Sequence, residues 1–169
     1  WGTITNGISP ACNFALGTGP VTLTNGATLE FDRVTATNAL ISIGGTLTSG
    51  NGWGVTWNGP VTLNANTTIN TEWSMSIGGN VSGAGGFAKT GGNTLTLSGN
   101  NGYTGANLVT AGTLTCTKSA ALGSGPLSIS DGAVVNLNYT GTRTIAALTL
   151  GGTNKPYGVF GSSSSPATT

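Results

Sequence analysis

Histidine is absent from this chain of 169 residues, and charged side chains make up only 5% of it. Without an imidazole, the usual triads, histidine metal sites and general bases that work near neutral pH are missing. Most enzyme classes fall away on that ground, and no enzymatic activity is expected. Five basic and four acidic residues leave a net charge of +1, too small for long-range steering. Arg33, Lys89, Lys118, Arg143 and Lys155 are scattered and read as isolated surface charges, so nucleic acid is not expected as a partner. No apolar run approaches the roughly 18 residues of a membrane helix. Glycine also cuts the strand-like stretches short of the roughly 9 to 11 residues that a membrane barrel needs; no segment is expected to lie in a membrane. The numbering begins at Trp1 with neither an initiator methionine nor a basic, apolar leader, the pattern of a processed or excised chain whose signal peptide is gone.

Small residues dominate what is present: 30 glycines, 30 threonines, 17 asparagines and 15 serines fill more than half of the positions. The hydrophobic share of 37% is nevertheless too high for a disordered linker. Apolar residues alternate with Thr or Ser in short bursts, among them Val21 and Leu23, Val61 and Leu63, Met75 and Ile77, Leu95 and Leu97, and Leu148 and Leu150. Period two with β-branched partners predicts strands buried on one face. Asn25-Gly26, Gly44-Gly45 and Asp131-Gly132 supply turn signals between them. No segment has helical periodicity.

Longer repeats overlie this alternation. Residues 15–32 align without a gap on residues 121–138, and residues 59–70 repeat the same opening at an offset of 40. Residues 41–63 align on residues 75–97 at an offset of 34, which lays Trp53 over Phe87. Such periods belong to arrays and solenoids. They predict an all-β parallel solenoid whose rungs stack about 4.8 Å apart, with inward Leu, Val and Ile, outward Thr, and glycine at the corners. A β-sandwich also gives short strands between turns, but it does not require successive strands to resemble one another.

The stretch GAGGFAKTGGNTLTLSGNNGYTGANLVTAGTLTCT, residues 83–117, resembles the autotransporter-associated β-strand repeat. The resemblance is carried by Lys89, Thr90 and Gly91, by Thr94 to Gly99, by Tyr103 to Gly105 and by Ala111 to Leu114, and it extends through residue 138. It implies a right-handed parallel β-helix in an exported bacterial surface protein, extracellular or at the cell surface, such as a stalk or adhesin passenger. The coil is expected over residues 15–160, after an extended segment 1–14 outside it and before a flexible tail 161–169.

Chemistry has few places to reside. Glu30 and Asp32 stand at i and i+2, but their aligned copies are Asn136 and Asn138, which fits a ladder position that takes any polar group. Glu72 and Asp131 are far from them in sequence, and four dispersed carboxylates do not make a calcium site. Glycine-rich turns with no helix to follow offer no phosphate loop, so no metal or cofactor is expected. Trp53, Trp57 and Trp73 are candidates for stacking on sugar rings, with core or corner packing as the alternative. Cys12 and Cys116 are a disulfide pair only if the first segment folds back along the coil, because bridged Cα atoms lie within about 7 Å. Otherwise they are buried single thiols or join two subunits. No helical lid is evident at either end, so an extended segment carrying Trp1, Ile4 and Ile8 is expected to add as a strand to a neighbouring subunit. The leading expectation is a surface filament or stalk subunit stacked head to tail as a homo-oligomer. The alternative is a passenger fragment that binds extracellular glycans or host surfaces.

Overall fold

A computed structural model describes residues 4–6, 16–50 and 54–158. Short strands of alternating polarity cannot bury their apolar sides alone, so each lies against the next turn of the same chain. The chain enters at β1 (Ile4–Asn6) and makes a first turn through β2 (Val21–Thr24), β3 (Thr28–Phe31) and β4 (Thr35–Ala36). The second turn holds β5 (Leu40–Ile43), β6 (Thr46–Ser49) and β7 (Val55–Trp57), and the third β8 (Val61–Leu63), β9 (Thr67–Thr71) and β10 (Met75–Ile77). β11 (Val81–Ser82), β12 (Phe87–Thr90) and β13 (Thr94–Leu97) form the fourth. Beyond them come β14 (Asn107–Val109), β15 (Thr113–Cys116), a single 3-10 turn at Ser119–Ala121, β16 (Leu127–Ile129) and β17 (Val134–Leu137). The described chain closes with β18 (Leu148–Leu150) and β19 (Thr153–Asn154).

These strands form three faces of one parallel coil of about six turns, with no α-helix among the described residues. A long face orders β1-β3-β6-β9-β12-β14-β16-β18-β19, a middle face β4-β7-β10-β13-β15-β17, and a short face β2-β5-β8-β11. From β2 onward, residues paired across neighbouring turns are 18 to 22 positions apart, so one rung takes about 20 residues. The offset of 40 is therefore two rungs, with Val21 over Leu40 over Val61.

The other two repeats do not stack. Ile41 lies on the short face and Met75 on the middle face, and Val21 of the short face is matched in sequence by Leu127 of the long face. The three faces present such similar environments that one strand-turn-strand motif recurs one or two faces out of phase. Phe87 pairs with Thr67 and Asn107, while Trp53 lies outside the described residues.

Inward columns run the length of the coil: Leu29, Leu47, Ile69, Lys89, Val109 and Ile129 on the long face; Val55, Met75, Leu95, Leu114 and Val135 on the middle one. Thr56, Ser76, Thr96, Thr115 and Asn136 alternate with the latter and face outward. Glycine is required where backbones of successive rungs nearly touch: a Cβ on Gly79 would overlap the carbonyl of Gly59 below it.

The described part of the N-terminal segment differs from the expectation of a strand free to join a neighbour, and one of the three faces is covered at the far end. Ile4–Asn6 pairs in parallel with β3 of its own chain, Ile4 opposite Leu29, so this part of segment 1–14 belongs to the stack. Its chemistry is that of every other rung, an exposed edge satisfied by the next strand. Trp1 and Ile8 lie outside the described residues, as does the tail 161–169. At the other end β19 turns back antiparallel on β18 and covers the edge of the long face. On the middle face, β17 is the last strand.

Candidate functional site

The chemistry of the coil gathers at the corner where the long face hands over to the middle one. β9 ends at Thr71, and the chain turns through Glu72, Trp73 and Ser74 before β10. One rung further on it turns through Gly91, Gly92 and Asn93 between β12 and β13. Turning strands leave backbone groups without ladder partners, and buried ones must be satisfied by side chains. The single proton of Thr71 Oγ1 is shared between the carbonyls of Thr90 (3.1 Å) and Asn93 (3.0 Å). Ser49 Oγ donates to the carbonyl of Trp73 at 2.6 Å and accepts from its backbone N–H at 3.0 Å. Asn93 Nδ2 donates to the carbonyl of Glu72.

Lys89 is the feature that charge counting misplaces. Read as a surface cation, it is 0% exposed and points inward between Ile69 and Val109. Its Nζ donates to the carbonyls of Thr90 (2.9 Å), Gly91 (2.7 Å) and Ala111 (2.9 Å). All three N–H bonds are thereby used, and the aliphatic stem occupies an apolar slot. Burial pushes the ammonium down to about 8, against the carbonyls that favour its charged form. The signal was present in the sequence: Lys89 shares the alternation of Phe87, the inward residue two positions before it.

Of the proposed sugar platforms, Trp57 is corrected. It is 1% exposed, its Nε1 donates to the carbonyl of Asn38 at 3.0 Å, and its ring meets Phe31 edge-on at 5.0 Å. A ring enclosed in this way has no face for a sugar. Its parity explains the difference: Val55 and Trp57 pair with Met75 and Ile77, all inward. Trp73 is 43% exposed and stands on the corner itself. Beside it, Glu72 Oε1 accepts from Asn70 Nδ2 at 3.1 Å, and that amide also donates to Thr48 Oγ1 at 3.2 Å. Thr90 Oγ1 donates to Asn70 Oδ1 at 3.1 Å. This outward polar ladder crosses three rungs.

Glu30 faces outward on β3, while Asp32 lies past the strand's end, and both border the side-chain-free Gly50 of the next rung. Asp32 Oδ1 is buried without a hydrogen bond, 3.8 Å from Arg33 Nε. Asn136, aligned with Glu30 in sequence, lies on the middle face, so the two positions are not one ladder. Among the described residues no three His, Cys, Asp or Glu side chains converge as metal ligands would. Cys116 is a buried free thiol in the inward column of Trp57, Ile77, Leu97 and Leu137, and burial pushes it up to about 11. Cys12 lies outside the described residues.

Residues 87–115 match the family described as Passenger-associated-transport-repeat. The matched unit runs from β12 to β15, so it contains two successive strands of the long face and two of the middle one. The chain thus carries a passenger-associated transport repeat built into a parallel β-solenoid. No curated protein and no solved structure matches the chain.

Proposed function

We propose that this chain is a β-coil segment of the passenger of an exported bacterial surface protein, a stalk that also adheres to extracellular glycans or host surfaces and has no enzymatic role. The observation that carries the reading is the position of the matched repeat. Residues 87–115 lie in the middle of an uninterrupted parallel stack, and their strands continue the columns laid down before and after them. A rod of hydrogen-bonded rungs resists bending and separates whatever it carries from the cell. Its outward Thr, Ser and Asn side chains suit a hydrated, weakly charged surface.

The test is display. With a signal peptide in front and an outer-membrane barrel behind, the chain is expected to reach the cell surface, remain folded, and confer binding to a glycan array or to host cells. Retention inside the cell envelope, or surface display with no adhesion in either assay, contradicts the reading.

End-to-end stacking into a filament is a second reading, favoured by one observation. Leu137 and Val134 on β17, the last strand of the middle face, are 47% and 52% exposed, although Leu137 continues an inward column. A second copy that seats its β4 on this edge would extend the sheet through a heterologous contact. Electron microscopy at high protein concentration tests it: rods are expected, and a strictly monodisperse monomer contradicts it.

A further inference from the structure

Five Asn-Gly pairs stand in this chain, beginning at Asn6, Asn25, Asn51, Asn58 and Asn101. An asparagine followed by glycine can lose its side-chain amide, because the next backbone nitrogen, unhindered by a Cβ, reaches the side-chain carbonyl carbon. The segment must be free to turn for this to happen. The fold withholds that freedom from two of the pairs. Asn101 is 5% exposed; its Oδ1 accepts from the Val81 N–H at 2.8 Å, and its Nδ2 donates to the Ala121 carbonyl at 2.6 Å. The nitrogen that would attack it, that of Gly102, donates to the Val81 carbonyl at 2.8 Å. Gly59, after Asn58, is buried and wedged between rungs, where a Cβ would overlap the Asn38 carbonyl. Asn25 and Gly26, by contrast, are both exposed in the turn from β2 to β3. Gly7, Asn51 and Gly52 lie outside the described residues.

A twin of the Asn25 turn already holds a carboxylate. Asn25-Gly26 aligns with Asp131-Gly132 in the ungapped repeat, and the two turns agree in structure. The φ angle is 77° at both glycines. The Ala27 N–H donates to the Thr24 carbonyl at 3.0 Å, and the Ala133 N–H to the Ser130 carbonyl at 3.1 Å. The next rung brings a glycine beside each side chain, Gly44 at Asn25 and Gly151 at Asp131.

We infer that Asn25 is a self-modification site, whose amide is converted to a carboxylate without an enzyme, and that the turn accepts one of the two products and not the other. The Gly26 nitrogen gives up its proton to solvent and bonds to Asn25 Cγ. The Cγ–Nδ2 bond breaks, and the nitrogen leaves as ammonia with a proton taken from water, closing a succinimide ring. Water then opens the ring. Cleavage at Cγ leaves aspartate in an unaltered backbone, the arrangement found at Asp131. Cleavage at the main-chain carbonyl carbon leaves isoaspartate, which routes the backbone through the side chain and adds a methylene before Gly26. That lengthening parts Ala27 from Thr24 and strains the bond from the Thr46 N–H to the Ala27 carbonyl, so the first rung loosens from the second. Either product adds a fifth acid to five bases and takes the net charge from +1 to 0.

The experiment incubates the folded chain at pH 8.5 and follows Asn25 and Asn101 by peptide mapping with electron-transfer fragmentation, which tells aspartate from isoaspartate. Both products are expected at Asn25, with Asn101 at least about tenfold slower, because its segment must first open locally. In urea the two should convert alike. Asn25→Asp should keep the circular dichroism and urea midpoint of wild type. In limited proteolysis of the aged chain at intermediate urea, isoaspartate at position 25 should be enriched in the digested fraction. An Asn25 that stays intact in the folded chain while converting in urea overturns the inference, as does an Asn101 that keeps pace with it in the folded chain. A lowered midpoint in Asn25→Asp, or isoaspartate spread evenly between digested and intact fractions, overturns the division between the two products.

Discussion

The ammonium of Lys89 on β12 and the carbonyl of Ala111, 2.9 Å away in the turn before β15, tie two successive rungs together at one corner. Both ends of this tie fall inside the matched repeat at residues 87–115. The Lys-Thr-Gly at its start and the Ala-Gly-Thr-Leu at its end are thus two halves of one device. The first supplies a cation and two of its acceptors, and the second supplies the acceptor on the next turn.

Replacing Lys89 by Met keeps the stem's volume but leaves the carbonyls of Gly91 and Ala111 without this donor, and a stability loss of about 2 kcal/mol is expected. Lys89→Arg should not rescue it, because a planar fork does not fit three acceptors gathered around a point charge. The folded ammonium titrates near 8, below its ordinary value of 10.5. Between those values the unfolded chain binds more protons, so native stability rises with pH across that window and carries its full penalty below it. Cys116 titrates in the opposite sense in both proteins. Urea unfolding of wild type and Lys89→Met at pH 7, 9 and 10.5 should therefore give a gap that widens with pH.

Two glycines on the same coil should respond differently to a methyl group. Gly79→Ala drives a Cβ into the carbonyl of Gly59, so the rungs must part, and a loss of about 3 kcal/mol or more is expected. Gly92→Ala meets open space and should stay within about 0.5 kcal/mol of wild type. Thermal unfolding of the two variants side by side measures the difference.

The tryptophans make a parallel contrast. Trp57→Ala removes a buried ring and its bond to Asn38, at an expected cost of about 3 to 5 kcal/mol. Trp73→Ala removes a half-exposed ring and should cost under about 1 kcal/mol. Denaturant midpoints check both.

The thiol of Cys116, buried and pushed up to about 11, should be inert to iodoacetamide at pH 7.5 in the native protein and react once it is unfolded. Peptide mass mapping of the alkylated chain reads this site alone. Labelling of native Cys116 at the denatured rate would contradict its place in the inward column.

Alternation made the strands legible, and the offset of 40 carried the stacking, because both follow from which residues face inward. Rung length was hidden by the similarity of the three faces: ISIGG at residue 41 and MSIGG at residue 75 are alike, yet lie on different sheets. Charge alone puts Lys89 on the surface, whereas parity puts its stem in the column of Ile69 and Val109. Trp57 and Trp73 could not be separated by composition. One lies within a strand and the other two residues before one, and only the corner turns the second outward. The tie from Lys89 to Ala111 joins residues 22 apart, a relation that requires the rung length to be known first.

The central claim is a parallel stack with about 20 residues to each rung. Its most direct test is a set of electron-spin distances in a chain whose Cys12 and Cys116 are replaced by alanine. One label is fixed at Thr35, and the second is moved from Thr96 to Thr115 to Asn136, outward positions of the middle face that are paired rung by rung. Three, four and five rungs predict backbone separations of about 14, 19 and 24 Å. Distances that fail to lengthen by one rung at each step, as two facing antiparallel sheets would give, contradict it.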